Sequence, residues 1–256
     1  MMRCPVFVIS LDRSHDRRER ILARLADLGL SAEIFTAVEG AALAPEAADY
    51  AGRLRRLLFG KDLSAGEIGC AHSHRGVYKR MVERRTSFAL VLEDDAVLTD
   101  ELPHALHALL TGPQDWDLVR FLAEDKVNQR SRLVRRAGQG QWQLSRPYGT
   151  PGGAYGYLLN FSAAQRLLKA ARCFWVPIDT LHGQVWRHRL RVRHLWPSPV
   201  RPDHLVASTI GASRFEKQGH LEGWERLVHP VMRCLFKVFD AGTKQAASRW
   251  PELFER

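Results

Sequence analysis

The residues best placed to do chemistry are three consecutive acids, Glu93-Asp94-Asp95, directly after the apolar run from Ser87 to Leu92. Such a run predicts a buried strand, which puts the acids at its carboxyl end. Adjacent carboxylates repel one another and resist burial unless a cation or hydrogen-bond donors compensate. In an open α/β sheet, ligands bind in the crevice outside the carboxyl ends of the strands. Carboxylate oxygens suit Mg2+ or Mn2+, which can bridge them to the phosphates of a nucleotide. A solvated acidic turn is the plainer reading of the same three residues.

Other side chains carry weaker signals. Arg13 and Arg17 follow the first apolar run and could bind phosphate in bidentate fashion, although an exposed helix face explains Arg17 and Arg18 equally well. His74 falls on the helix before the acidic strand, where a lone histidine is more often structural than a ligand. Tyr155 and Tyr157 flank Gly156 and are expected on one strand face, as a sugar platform or as core.

The elements that must position these groups alternate. Cys4–Leu11 reads as a strand, His15–Leu28 as a helix stopped by Gly29, and Ala32–Val38 as a second strand, a βαβ-like opening. Residues 41–60 read as helical or irregular. Ser64-Ala65-Gly66-Glu67 is a capping box that starts a helix running to about Arg85. A helix near Asp100–Leu110 and a strand near Leu118–Leu122 follow. Ser131–Arg146 is expected as a basic hairpin or loop turning at Gly138 and Gly140. Ala154–Leu159 reads as a strand, Ser162 as the cap of the next helix, Pro177-Ile178-Asp179 as the start of another, and Val192–Trp196 as the final strand. In the tail, Trp224, Leu227, Val228, Val231, Met232, Leu235, Phe236 and Phe239 recur at helical spacing. Pro230 should kink or break this helix, and docking onto the core is its expected fate.

Composition bounds the rest. The 256 residues carry 38 Lys+Arg against 28 Asp+Glu, a net charge of +10. Basic residues concentrate in 120–146 and 187–201, but no zinc-finger, helix-turn-helix or RNP-like pattern accompanies them, which argues against a nucleic-acid binder. Anionic membrane remains a candidate contact. No run reaches the ~18–20 apolar residues of a membrane span, and the opening lacks a cleavage signal, so a cytoplasmic protein is expected. Four scattered cysteines fit that compartment and offer no zinc cluster.

Three blocks resemble glycosyltransferase family 25, whose members build bacterial lipooligosaccharide and galactosylate animal collagen. The first is Val8-Ile9-Ser10-Leu11-Asp12-Arg13-Ser14 with Asp16-Arg17-Arg18, continuing to Phe35-Thr36-Ala37-Val38-Glu39-Gly40. The second, the most specific, is Leu63-Ser64-Ala65-Gly66-Glu67-Ile68-Gly69-Cys70 with Ser73-His74, then Val91-Leu92-Glu93-Asp94-Asp95-Ala96. The third is Gly149-Thr150 with Ala154–Leu159 and Pro177-Ile178-Asp179. Ser10 stands where the family usually has Asn.

The resemblance implies a GT-A-like, Rossmann-type α/β nucleotide-binding sandwich over residues 1–205, with a helical C-terminal extension over 206–256. It implies an inverting, metal-dependent transfer of a sugar, galactose first among candidates, from a nucleotide sugar such as a UDP-sugar. The acceptor would be a lipooligosaccharide, another glycan or a lipid-linked glycan, at the cytosol or on the cytoplasmic face of the inner membrane. Asp95 and Glu93 are the expected ligands of Mn2+ or Mg2+, and Asp94 and Asp179 the expected catalytic acids, with Asp179 as general base. Ser10, Leu11, Asp12, Arg13, Arg17, His74, Glu93, Gly149 and Thr150 are expected at the nucleotide sugar. Two rival readings are a receiver-like signalling domain, which lacks its acidic pair after the first strand, and a basic adaptor without chemistry.

Overall fold

The computed structural model describes residues 4–43, 49–203 and 221–255. Val6–Ser10 (β1), His15–Asp27 (α1) and Ala32–Thr36 (β2) form the expected opening, with β1 and β2 parallel. Gly52–Phe59 (α2) ends at Gly60, whose φ of 80° is left-handed. Ala65–Glu83 (α3) begins with the capping box: Ser64 Oγ accepts the Glu67 amide and the Glu67 carboxylate accepts the Ser64 amide. Phe88–Glu93 (β3) then runs parallel to β1.

Beyond the acidic triplet the chain forms Ala96–Leu98 (β4), Leu102–Thr111 (α4), Leu118–Arg120 (β5), Asp125–Gln129 (α5), Arg132–Ala137 (β6), Trp142–Arg146 (β7) and Gly156–Asn160 (β8). Phe161–Ala170 (α6), Ile178–Gly183 (α7), Val185–His188 (α8), Val192–Trp196 (β9), Val200–Pro202 (β10) and Glu225–Arg249 (α9) complete it. Eight strands make one mixed sheet in the order β2-β1-β3-β8-β5-β9-β7-β6, and β4 pairs with β10 separately. The expected α/β sandwich is therefore present. The boundary expected at 205/206 lies outside the described residues.

Strand alternation builds a core on each face. Val6, Val8, Leu90, Leu92 and Leu158 join one buried cluster, with Ile21, Leu102 and Trp116. Their neighbours Phe7, Ile9, Ala89, Val91, Tyr157 and Leu159 join the other, against Tyr78 and Met81 of α3 and Leu167 of α6. Side chains on successive strand residues point to opposite faces, so these central strands are apolar throughout.

Several local expectations are corrected. The cap of α6 is Asn160, whose side chain accepts the Ala163 amide at 2.8 Å; β8 extends through Asn160, so it, not Ser162, ends the strand and starts the helix. β9 is followed by one more strand, β10. Tyr155 precedes β8 and packs with the first cluster while Tyr157 packs in the second, so they do not share a face. α9 runs unbroken through Pro230, which lies in its second turn.

Several arginines of the basic segments are engaged from within. Arg191 pairs with Asp117, Arg135 with Asp115, and Arg187 lies over the Trp175 ring. Glu255 in the last turn accepts from both Arg193 (2.8 and 2.9 Å) and Arg146 (2.8 and 3.3 Å), tying the C-terminus to β9 and β7. Arg193 is almost fully buried, so Glu255→Ala strands a guanidinium and should cost about 3 kcal/mol in urea unfolding. Replacing both partners by apolar residues of similar volume should restore most of that stability.

Candidate active site at the carboxyl end of the central strands

β1 and β3 end side by side, and the backbone there pins the acids in place. The Glu93 amide donates to Tyr155 O (2.9 Å), the Asp94 amide to Ile9 O (3.1 Å), and Asp95 O accepts the Asp203 amide (3.0 Å). A cleft of about 310 Å3 opens in front of them, lined by Leu11, Arg13, His74 and all three acids, together with residues 37–41 and the first turn of α3. Two motif glycines shape its wall. A Cβ on Gly40 would lie 1.6 Å from Ala65 O, and one on Gly69 2.5 Å from Val38 O, so loop and helix backbones touch directly.

Each acid has a different environment. Asp94 Oδ2 accepts the Ser10 hydroxyl at 2.8 Å, and its Oδ1 lies 3.5 Å from Arg17. Burial nonetheless holds Asp94 above the usual carboxylate range, with Ser10 and Arg17 pulling it back. Glu93 Oε1 accepts from His74 Nε2 at 3.1 Å and lies 3.9 Å from the Cys70 thiol. Asp95 Oδ1 is buried with no hydrogen-bond partner. Burial, then Glu93 and Asp94, raise Asp95 to about 7, so the acidic group keeps a proton near neutrality.

His74 belongs to a buried chain that the sequence did not reveal. Its Nδ1 lies 2.7 Å from the Tyr157 hydroxyl, which is 3.1 Å from the Tyr78 hydroxyl, itself 2.6 Å from His182 Nε2. Burial drives His182 far below the ordinary histidine value, so it is neutral. The chain links Glu93 to α7, the helix that carries Asp179. Tyr157, fully buried, thus serves with Tyr78 as core and hydrogen-bond link and offers no face to a sugar.

Asp179 is buried. Its Oδ2 accepts the Gly153 amide (3.0 Å) and its Oδ1 the Thr180 amide (2.6 Å). The Arg120 guanidinium, fully buried beneath the same loop, donates to the carbonyls of Pro151, Gly152 and Gly153. Although far apart in sequence, Asp179 and Asp95 both act with Glu93 and Glu67 on the Cys70 thiol, which they and burial raise well above its usual value. The remaining expected residues are placed differently. Ser10 lies beneath Asp94, Arg13 pairs with Glu39 at the cleft mouth, Arg17 faces Asp94, and the Asp12 side chain is 80% exposed. Gly149 and Thr150 line a separate groove with Lys126, Arg130, Tyr148 and Lys244.

Two donor sets compete as a cation site. The ligand atoms of Cys70, His74 and Glu93 lie within 4.8 Å of one another. That trio is closed on itself: both His74 nitrogens are engaged, and Cys70 is a protonated thiol. The second candidate is Asp95 Oδ1, buried and without a hydrogen-bond partner.

A family model described as glycosyltransferase family 25 (LPS biosynthesis protein) matches residues 3–182. The chain belongs to this family. It is 31% identical over 258 residues to procollagen galactosyltransferase 1 of Danio rerio, covering 86% of this chain and 41% of that protein. It is 31% identical over 179 residues to the inactive glycosyltransferase 25 family member 3 of Homo sapiens, covering 64% of this chain and 28% of that one. The chain thus spans about two fifths or less of the length of these relatives. Among solved structures, a mannose-1-phosphate geranyltransferase from Thermus thermophilus aligns with a TM-score of 0.38 and 14% identity, over 78% of this chain and 76% of that one.

The raised Asp95 has a pH signature in the metal-free protein. Its folded value, about 7, lies above the ordinary aspartate value of about 3.9. The stability it supports is complete below pH ~4 and is lost as pH rises through ~7, by at most roughly 4 kcal/mol. Asp95→Asn should therefore be more stable than the parent at pH 8 and should converge with it in acid. Parallel urea-unfolding profiles across this range would contradict the assignment.

Proposed function

We propose that this chain transfers a hexose, galactose first among candidates, from a nucleoside diphosphate sugar to a glycan hydroxyl with inversion, assisted by Mn2+ or Mg2+. Buried Asp95 Oδ1, left without a partner among like charges, carries the reading. Asp95, with Glu93 as the second carboxylate, would hold the cation, and a UDP-sugar is the donor class that the family points to. When bound, the cation supplies Lewis-acid stabilisation for the negative charge that develops on the departing diphosphate.

The chain's own residues do the rest. Ser10 and Arg17 fix Asp94 beside the cleft, and His74 fixes Glu93, so the acids keep their geometry without rearrangement. The first turn of α3, at Ala65 and Gly66, presents a helix N-terminus to the cleft, where phosphate is favoured. Asp179 is the general base, its orientation fixed by the Gly153 and Thr180 amides and the Thr180 hydroxyl. Lipooligosaccharide is the acceptor class that the family's bacterial members suggest.

The test is turnover of UDP-galactose with and without Mn2+. Asp95→Asn should lower turnover at least ~100-fold. Asp179→Asn should lower kcat by about 100-fold or more while leaving the KM for donor within a few fold. Full activity in excess chelator would contradict the reading.

A further inference from the structure

The C-terminal helix docks as expected, but much of its apolar set is turned outward. Its inward face mixes half-buried Val228, Met232 and Phe236 with polar contacts: His229 Nδ1 donates to Leu57 O at 2.8 Å, Arg233 reaches Leu58 O, and Glu225 pairs with Arg56. Phe236, edge-on to Phe59, and Phe239, edge-on to Trp186, are its aromatic anchors. The outward face carries Leu227 (80% exposed), Val231 (60%), Leu235 (61%) and Val238 (69%). Spaced by four, four and three residues, they form one aliphatic stripe about 17 Å long. Trp224, about half-exposed, stands one turn before Leu227 on the same face. Isolated exposed apolar residues are ordinary, but a contiguous stripe on a docked helix marks an interaction surface.

We propose that α9 is an interfacial helix that seats this protein on an anionic lipid bilayer. Charge selects the occupant. α9 holds five basic residues, Arg226, Arg233, Lys237, Lys244 and Arg249, against two acids, and both acids are ion-paired within the protein, Glu225 with Arg56 and Asp240 with Lys244. The whole chain carries +10. Two copies meeting stripe to stripe would bring these excess charges together, whereas anionic headgroups neutralise them. A tryptophan at the end of an apolar stripe suits the boundary between headgroups and acyl chains. None of the described helices is long and apolar enough to cross a membrane, so the helix would lie in the surface plane. Asp240 and Lys244 on α9, with Gly149 and Thr150, also line one groove, so docking would bring that groove close to the bilayer. The inference stands without the transfer reaction.

Co-sedimentation of the full chain with sucrose-loaded vesicles tests it. The chain should partition onto phosphatidylcholine vesicles containing about one third phosphatidylglycerol, hardly at all onto pure phosphatidylcholine, and less as salt is added. Leu227→Asp with Leu235→Asp should lower partitioning at least ~10-fold, and Arg226→Glu with Lys237→Glu should do the same on anionic vesicles. These side chains are exposed, so the melting temperature should not move, and UDP-galactose turnover in detergent-free buffer should match the parent. Absence of vesicle binding, equal binding by the Leu227/Leu235 variant, or a concentration-dependent dimer that the same variant abolishes would overturn the proposal.

Discussion

The site turns on a conflict between burial and charge. Three carboxylates stand together at the end of β3, and the fold lowers the cost for two of them with specific donors. Ser10 and Arg17 serve Asp94, and His74 serves Glu93. Asp95 receives no side-chain donor on its buried oxygen. A buried carboxylate in that position favours a proton or a cation, and burial with its acidic neighbours pushes Asp95 upward. Much of the surrounding structure holds this arrangement in place. The parallel β1–β3 ladder aligns Ser10 with the triplet, and the Asp203 amide fixes the turn after it.

Rigid support extends from that point across the molecule. The hydrogen-bonded series from Glu93 through His74, Tyr157 and Tyr78 to His182 crosses from β3 to α7 inside the second core cluster. Buried polar groups of this kind are costly unless satisfied, and when satisfied they fix one geometry. α7 in turn holds Asp179 against the Gly153 amide, and Arg120 holds the same loop from beneath. The two ends of the proposed reaction, cation side and acceptor side, are thus parts of one framework.

What the sequence made legible follows the range of the interaction responsible. Local devices were readable: the strand–helix–strand opening, the Ser64–Glu67 capping box, the Gly138–Gly140 turn, and acids ending an apolar strand. The short strands β4 and β10 were not, because each exists only through pairing with a partner about a hundred residues away. Asn160 and Ser162 are both capping types, and the extent of β8 decided between them. Periodicity showed that α9 has an apolar face but not which way it turns; that depended on Arg56 and Glu225 meeting across 169 residues. Part of the basic runs read as charged surface forms internal ion pairs instead, because Asp115, Asp117 and Glu255 reach Arg135, Arg191, Arg193 and Arg146 only in the fold. The polar chain behind His74 joins residues with no shared motif, and no pattern of types or spacing announces it.

Above all, Asp95 and its neighbours are proposed to receive one divalent cation. Electron paramagnetic resonance of free Mn2+ during titration with the protein at neutral pH measures this directly, without acceptor or turnover. The free-ion signal should fall with one Mn2+ taken up per chain, and Asp95→Asn should leave the signal unchanged. An undiminished signal with the parent protein, or equal uptake by Asp95→Asn, would contradict the cation site.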